Sequence, residues 1–339
     1  MIVMRVFLAV GFLAAVAAVG VFLRVERPWE SPSEHSVTIQ AVASPTSQPA
    51  AATPRRRRAR TGAPTPAATS AYATAGCGNA AAAGGLIDEM STPEGIRSYR
   101  LHIPANYHNR TATPLVVNFH GYGRTALEQE TYSQFVPVSE RNGFILVTPE
   151  GSGSPQGWDI PGVYAENGYD DVGFVAQLVA ELGGKFCLDT RRMYATGLSN
   201  GAEMASLVGC RLPYLFAAVA PVAGVIYDGC DGGPMPVIAF HGTEDYNVPF
   251  EIAPPAMADW AGHNGCTGEL ESTPIGEHVR EQRYSGCEGE DVILYVIEGG
   301  GHTWPGAEDD AGGVGPTTHE INASELIWLF FASHPKPGS

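Results

Sequence analysis

Three side chains in the second half of the sequence have the types and the chain order needed for nucleophilic acyl transfer. Ser199 is the centre of a G-x-S-x-G pentapeptide, a pattern typical of a sharp turn from a strand to a helix that exposes the serine hydroxyl. A serine hydroxyl at its ordinary pKa is a weak nucleophile, so it needs a histidine base oriented by an acid. Asp245 and His302 follow in the order acid, then histidine, that this kind of site uses. We predict them as the acid and the base.

Each of the three side chains follows a short apolar run that predicts a buried strand. Residues 192–196 precede the pentapeptide, and a helical pattern to about Cys210 follows it. Residues 236–240 precede the segment that contains Asp245, and residues 292–297 precede a glycine-rich loop that ends in His302. The three candidates are therefore expected at strand ends, where loops leave the sheet.

Two neighbouring residues are alternatives for the acid and the base. Glu244 adjoins Asp245, but Asp245 lies deeper in its loop, just before a Val-Pro pair that anchors the chain again. His241 lies at the end of the strand that precedes the acid. We expect it to be a weaker base candidate than His302 and to have a structural role.

A second loop is expected to stabilise negative charge on the substrate. His120-Gly121-Tyr122-Gly123 follows the apolar run 115–119. In sites built on a strand–turn–helix serine, such a loop supplies one oxyanion donor, and the residue after the nucleophile supplies the other. The predicted donors are the backbone amides of Tyr122 and Asn200.

The whole region alternates short strands with helical patterns, which indicates an α/β fold with a mostly parallel sheet covered by helices on both faces. Asp170 and Asp171 are expected to cap one of the helices. The predicted strands are 115–119, 144–148, 192–196, 216–222, 236–240 and 292–297. The later helices are the one from the end of the pentapeptide to about Cys210, 254–263 and 322–333.

Composition and charge exclude some classes of protein. Hydrophobic residues make up 44% of the 339 residues and charged residues 17%, so the chain can bury a core and is not disordered throughout. Residues 1–75 carry 8 Lys and Arg against 3 Asp and Glu, whereas the rest carries 12 against 33. This acidic balance argues against nucleic acid as a partner of the folded part.

The N-terminal segment predicts targeting rather than fold. Residues 6–23 contain no charged residue and would span about 27 Å as a helix, so residues 1–29 are interpreted as a signal peptide or a membrane anchor. Residues 30–75 are rich in Pro, Ala, Ser and Thr and predict a disordered linker. The basic run from Arg55 to Arg60 is interpreted as a solvated charge run, with an anionic-surface patch or a processing site as alternatives. Residues 76–339 form the predicted catalytic domain.

All six cysteines follow residue 75. An even number in the folded part indicates three disulfides and an oxidising compartment, so we expect a protein that is secreted or anchored at the cell surface through residues 6–23. The sequence contains no C-x-x-C spacing to support zinc. No metal and no cofactor are predicted.

The motifs together resemble a known esterase family, which includes poly(3-hydroxybutyrate) depolymerase-like enzymes and feruloyl esterases. The resemblance runs from about Cys77 to Phe331, and its implied fold is the α/β-hydrolase fold. Ser199, Asp245 and His302 match the family's triad positions. The motifs that carry the resemblance are Gly76-Cys77-Gly78, residues 97–104, the His120-Gly121 loop, residues 170–174, residues 240–245, Asn264-Gly265-Cys266, residues 284–287 and residues 300–306.

The resemblance implies an exported serine esterase that forms an acyl-enzyme. Feruloyl esterase-like hydrolysis of plant cell-wall phenolic esters is the first expectation, with a substrate that can be linked to a polysaccharide. Hydrolysis of polyhydroxybutyrate, short polyesters or aliphatic esters is the alternative. A catalytically silent binding protein tethered at the cell surface is an alternative of another class.

Two further sets of residues are assigned within this framework. Trp158 and Trp304, like Tyr122, are near the inferred chemistry in sequence, so we expect them to contact a flat phenolic acyl group, with ordinary packing as the alternative for Trp158. The N-terminal segment is expected to contact the membrane if it is retained. Of the 15 possible pairings of six cysteines, the expected disulfides are Cys187–Cys210, Cys266–Cys287 and Cys77–Cys230.

Overall fold

The computed structural model describes residues 71–163, 168–288, 291–308 and 313–338. The predicted signal peptide or anchor, most of the predicted linker and the basic run from Arg55 to Arg60 lie outside the described residues. Within the described ranges, no helix combines the length and the hydropathy needed to cross a bilayer.

A ten-stranded sheet forms the centre of the described fold, and a small hairpin (β5 and β6) lies outside it. In spatial order the sheet is β1-β2-β4-β3-β7-β8-β9-β12-β11-β10. The strands are β1 Gly84–Thr92, β2 Gly95–Ile103, β3 Thr113–Phe119, β4 Ile145–Pro149, β5 Ser152–Gly153, β6 Gln156–Gly157, β7 Leu188–Leu198, β8 Ala218–Val222, β9 Val237–Gly242, β10 Leu270–Pro274, β11 Val279–Tyr284 and β12 Val292–Ile297.

The six central strands, from β4 to β12 in spatial order, are parallel, and an antiparallel pair of strands extends the sheet at each side. The mostly parallel α/β sheet predicted from the sequence is therefore confirmed. In the described part of the chain, six α-helices and one short 3-10 helix cover the sheet: α1 Ala126–Ser133, α2 Phe135–Asn142, α3 Asp171–Lys185, α4 Asn200–Arg211, the 3-10 helix Phe250–Ile252, α5 Ala253–His263 and α6 Ala323–Ser333.

The core consists of two apolar layers, one on each face of the sheet. Successive strand residues point to opposite faces, so Leu115 and Val117 join one layer and Val116 joins the other. Helices α3, α4 and α5 pack against the first face, and α1, α2 and α6 pack against the second. Because both faces are covered, the central strands are continuous apolar runs.

Local capping signals fix where several helices begin. The Asp170 side chain accepts a hydrogen bond from the Gly173 amide at 2.7 Å, as the predicted cap requires. Asn322 caps α6 by accepting from the Glu325 amide at 3.0 Å. Such bonds satisfy amides that have no partner inside the helix.

The described part of the chain packs from Tyr72 onward, a few residues before the expected domain start at Gly76. The Thr74 amide donates to the Leu188 carbonyl at 3.0 Å, and the Thr190 amide donates to the Tyr72 carbonyl at 2.9 Å. This segment therefore lies along the beginning of β7.

The described residues contain three disulfides, and one of the three expected pairings, Cys266–Cys287, is confirmed. The expected pairs Cys187–Cys210 and Cys77–Cys230 are wrong, because the bonds are Cys77–Cys187 and Cys210–Cys230.

Two long-range contacts instead decide these pairings. The segment that contains Cys77 is hydrogen-bonded along the residues around Cys187, with the Gly76 amide donating to the Gly183 carbonyl at 2.9 Å. The loop that contains Cys230 is held at the end of α4, where Arg211 forms ion pairs with Asp228 and Asp231.

Candidate active site

The predicted nucleophile lies at a strained turn between β7 and α4. Ser199 has φ 59° and ψ −125°, and a positive φ is uncommon for a residue with a side chain. A strained serine between a strand and a helix is the geometry of a nucleophile elbow. The turn places Ser199 at the N-terminal end of α4. The helix dipole is positive at this end and favours negative charge nearby.

The glycines on both sides of the turn are required by close backbone contacts. A Cβ on Gly201 would lie 2.3 Å from the Phe119 carbonyl oxygen, and one on Gly197 would lie 2.4 Å from the Gly201 carbonyl oxygen. Real side chains do not tolerate such distances. The G-x-S-x-G spacing thus allows β7, α4 and the end of β3 to meet beneath Ser199.

The predicted acid and base lie on loops that follow adjacent parallel strands, β9 and β12. The ring nitrogen Nδ1 of His302 is 2.7 Å from Oδ2 of Asp245. The other oxygen of Asp245 accepts from the amides of Asn247 and Val248, both at 2.9 Å. Both side chains are buried, whereas Glu244 is exposed. Asp245, rather than its neighbour, therefore contacts His302.

Competing effects act on the pKa of Asp245. Burial raises the pKa of this carboxyl, but the hydrogen bonds from His302 and from the Val248 amide outweigh burial and hold the pKa below its ordinary value. The carboxyl is therefore ionised at neutral pH, which suits an acid that orients an imidazole and stabilises its protonated form.

His241 supports the loop that holds the acid. Its Nε2 donates to the Val248 carbonyl at 2.9 Å and lies 3.5 Å from Oδ2 of Asp245. Burial lowers the pKa of His241, so the ring stays neutral. The structural role expected for His241 agrees with these contacts.

The residues predicted as oxyanion donors lie on either side of Ser199. Gly121 packs against the nucleophile, since a Cβ on it would be 3.3 Å from the Ser199 Cβ. Tyr122 follows in the same loop, and the Gly123 amide donates to the Gln156 carbonyl at 2.7 Å. Asn200 begins α4, where the first amides have no partner within the helix.

The buried side chain of His120 holds the loop that contains Gly121 and Tyr122 in place. The Nδ1 of His120 contacts the Gly121 carbonyl at 2.8 Å, and its Nε2 accepts from the Gly151 amide at 2.8 Å. Because Nε2 accepts a hydrogen bond, the ring is the neutral Nδ1–H tautomer. Burial also lowers the pKa of His120, which keeps the ring in this state.

Ser199 and His302 line one open cavity of about 440 Å³. Tyr122 and Tyr246 line the same cavity and expose 46% and 84% of their surface. Tyr246 was not among the site residues predicted from the sequence. Its position directly after Asp245 is the signal that indicates it.

The expectation that two tryptophans contact substrate is wrong. Trp158 and Trp304 are 2% and 1% exposed and do not line the cavity. The Trp158 indole donates to the His120 carbonyl at 2.8 Å, and the Trp304 indole donates to the Ser324 hydroxyl at 3.0 Å. Both rings therefore hold loops in place beneath the surface.

A polar network beneath Ser199 connects α4 to Trp158. The Asn200 side chain accepts from the Trp158 amide at 2.7 Å and donates to the Trp158 carbonyl at 3.1 Å. The same amide group donates to a carboxylate oxygen of Glu203 at 3.3 Å. Glu203 is only 3% exposed, and this burial raises its pKa to about 7 against the weaker effect of the Asn200 bond.

Metal-ligating side chains do not cluster among the described residues: no group of three or more His, Cys, Asp or Glu is placed to hold a metal ion. The polar groups around Ser199 are hydroxyl, imidazole, carboxylate and backbone amide. These are the types of group that acyl transfer by covalent and acid–base catalysis requires.

The fold is that of an α/β-hydrolase, and the relatives of the chain make it a carboxylic ester hydrolase. The family model described as "Esterase PHB depolymerase" matches residues 97–239. The chain is also 31% identical over 252 residues to the protein NocK of Nocardia uniformis, and the match covers 62% of this chain and 71% of that protein. The chain belongs to the esterase PHB depolymerase family.

Relatives with a more specific name are feruloyl esterases. The chain is 31% identical over 231 residues to "Feruloyl esterase B" of Piromyces equi, in a match that covers 61% of this chain but only 42% of that longer protein. It is 28% identical over 279 residues to "Probable feruloyl esterase C" of Aspergillus clavatus, covering 79% of this chain and 93% of that protein.

A solved structure with a similar fold is an acetyl xylan esterase from Aspergillus awamori. Its TM-score is 0.56 at 19% identity, and the match covers 72% of this chain and 98% of that one. This likeness concerns the fold alone.

Proposed function

We propose that Ser199, His302 and Asp245 are the nucleophile, the base and the orienting acid of an esterase that releases phenolic acids from plant cell-wall esters. The observation that carries the triad is the 2.7 Å contact between His302 Nδ1 and Asp245, in a cavity that Ser199 and His302 both line. The contact leaves Nε2 of His302 as the nitrogen that exchanges the proton.

The first half of the reaction forms an acyl-enzyme. The Ser199 hydroxyl attacks the ester carbonyl as its proton passes to Nε2 of His302, and the backbone amides of Tyr122 and Asn200 donate to the oxyanion. The tetrahedral intermediate then expels the alcohol, which takes the proton from His302. Asp245 stabilises the protonated imidazole and stays ionised throughout.

The second half returns the enzyme to its initial state. Water attacks the acyl-enzyme carbonyl and gives a proton to His302, and the Ser199 oxygen leaves with that proton. The products are a carboxylic acid and an alcohol. The names of the relatives from Piromyces equi and Aspergillus clavatus support a feruloyl group as the acid, with a cell-wall sugar as the alcohol.

We also propose that the enzyme works outside the cell. Three disulfides within the described residues support an oxidising compartment. In this proposal residues 1–29 direct export, either as a cleaved signal or as an anchor, and residues 30–75 serve largely as a tether. Free thiols at all six cysteines of the protein isolated from its host would contradict it.

Kinetics on matched esters test the substrate. For the full chain with its disulfides formed, we expect kcat/KM for methyl ferulate to equal or exceed that for methyl butyrate, and Ser199→Ala to abolish both activities. Hydrolysis of methyl butyrate alone would keep the triad but replace the phenolic substrate by short aliphatic or hydroxyalkanoate esters.

Covalent labelling tests the alternative that the protein only binds its ligand. A fluorophosphonate probe is expected to label the wild type and not Ser199→Ala. No labelling of the folded wild type would favour a silent binding protein.

A further inference from the structure

Two exposed aromatic rings line the cavity that contains Ser199 and His302. Tyr122 and Tyr246 expose 46% and 84% of their surface. Tyrosine rings in a cavity of this kind offer flat apolar faces that pair well with another aromatic ring.

The backbone holds the first ring in a defined place. A Cβ on Gly157 would lie 2.7 Å from the Tyr122 ring atom Cδ2, so the ring packs directly on the glycine of strand β6. The next residue, Gly123, is hydrogen-bonded to the Gln156 carbonyl at 2.7 Å. Tyr122 is therefore a fixed wall of the cavity.

The second ring projects from a loop whose backbone is also fixed. The Asp245 side chain accepts from the amides of Asn247 and Val248, and His241 donates to the Val248 carbonyl. These bonds hold the backbone on both sides of Tyr246 while its ring stays in solvent. An ordered loop that presents an aromatic ring this openly is suited to a contact with a ligand.

The strand order places the loops that carry the two tyrosines on different sides of the strand that leads to the nucleophile. In the sheet, Tyr122 follows β3 and Tyr246 follows β9, and the strand that carries Ser199, β7, lies between them. A substrate bound to Ser199 therefore has one tyrosine loop on each side.

We propose that Tyr122 and Tyr246 form an aromatic clamp that selects esters with a flat aromatic acyl group. The clamp rests on the proposed function, since it assigns the phenolic acyl group to residues of the same site. Tyr246 is the specificity-determining residue, because its ring is the more exposed of the two and offers a ligand more surface to cover. Aromatic pairs of this kind contribute about two- to tenfold each in a binding or rate constant.

The test compares an aromatic with an aliphatic acyl group in the same enzyme. For the full chain, Tyr246→Ala is expected to lower the ratio of kcat/KM for methyl ferulate to kcat/KM for methyl butyrate about tenfold. Tyr246→Phe keeps the ring and is expected to leave the ratio within about twofold. Tyr214→Ala is the matched control, since Tyr214 is 68% exposed and does not line the cavity.

The ratio of kcat/KM for methyl ferulate to kcat/KM for methyl butyrate also tests Tyr122. Its backbone amide is a proposed oxyanion donor, so Tyr122→Ala can lower both rates through the loop. A clamp predicts that methyl ferulate loses more than methyl butyrate.

Two different failures separate the clamp from the proposed function. If wild type hydrolyses methyl ferulate but Tyr246→Ala changes both esters equally or neither, the clamp is wrong and the substrate stands. Suppose instead that Tyr246→Ala lowers kcat/KM for p-nitrophenyl butyrate relative to methyl butyrate but leaves kcat/KM for methyl ferulate unchanged. The ring then contacts the alcohol group of the ester, and the clamp is wrong. A wild type active on methyl butyrate alone overturns both the phenolic substrate and the clamp.

Discussion

The floor and the rim of the cavity differ in how completely the fold constrains them. The floor, defined as Ser199, Asp245 and His302 together with the Asn200–Trp158 network beneath them, is fixed by backbone contacts, buried hydrogen bonds and close-packed glycines. The rim, defined as Tyr122 and Tyr246, consists of exposed rings on ordered loops. The proposed chemistry therefore rests on groups that the sheet and its buried loops hold in place, whereas the proposed substrate choice rests on exposed aromatic rings.

This division explains why changes in the floor are expected to cost far more than changes in the rim. A group in the floor satisfies buried partners, which are left without a hydrogen bond when it is removed. The Tyr246 ring of the rim is 84% exposed, so truncating it leaves no buried polar group without a hydrogen bond. Three substitutions test this comparison, and they are given in decreasing order of expected effect.

The largest effect is expected for Asp245→Asn. The side-chain oxygen of the introduced asparagine can still accept from the two loop amides, but its NH₂ group would donate to Nδ1 of His302. This places the imidazole proton on Nε2, the nitrogen that must accept the serine proton. We expect kcat/KM to fall about 10⁴-fold, measured by steady-state kinetics on methyl butyrate.

The neighbouring carboxylate provides the control for this change. Glu244 is exposed, so Glu244→Gln should leave kcat/KM within about twofold. A loss below about tenfold in Asp245→Asn, or equal losses in the two variants, would show that Asp245 does not orient the base.

The second effect concerns stability and its dependence on pH. Burial raises the pKa of Glu203 from 4.5 to about 7 in the folded protein. Below pH 4.5 the carboxyl is protonated in both states, and between pH 4.5 and 7 only the unfolded chain ionises. The contribution of Glu203 to the free energy of unfolding should therefore fall by about 3 kcal/mol across this window and stay constant above it.

Glu203→Gln isolates this effect, because glutamine does not titrate. We expect the stability of the variant relative to wild type to increase by about 3 kcal/mol from about pH 4.5 to about pH 8, measured by urea denaturation with the disulfides intact. Glu244→Gln, at an exposed site, should show no such change. A pH-independent difference between Glu203→Gln and wild type would contradict the buried protonated carboxyl.

The sequence predicted the central strands and the residues that follow them, because continuous apolar runs and glycine spacing are local signals. It did not predict the antiparallel strands at the sheet edges. In β10 every residue is exposed, and most of β1 is exposed or half-buried, so neither strand has an apolar run to recognise. Their pairing depends on neighbours rather than on their own pattern.

The site shows the same limit of local reasoning. Nearness in sequence to the nucleophile loops predicted substrate contacts for Trp158 and Trp304, yet both side chains turn inward. Tyr246, which directly follows Asp245, turns outward. Side-chain direction depends on which hydrogen bonds the loop makes, and these join segments far apart in sequence. The two wrong disulfides had the same cause.

The smallest of the three effects is expected for Trp158→Phe, which distinguishes a buried support from a substrate contact. Phenylalanine keeps an aromatic ring against Phe119, 5.0 Å away between centroids, but removes the indole donor to the His120 carbonyl. A buried carbonyl without its partner costs about 1–3 kcal/mol. We expect the free energy of unfolding to fall by about 2 kcal/mol, whereas Tyr246→Ala changes it by less than about 0.5 kcal/mol. If Trp158→Phe instead left stability unchanged and altered the preference for methyl ferulate, Trp158 would belong to the rim, and the boundary between floor and rim would have to be redrawn.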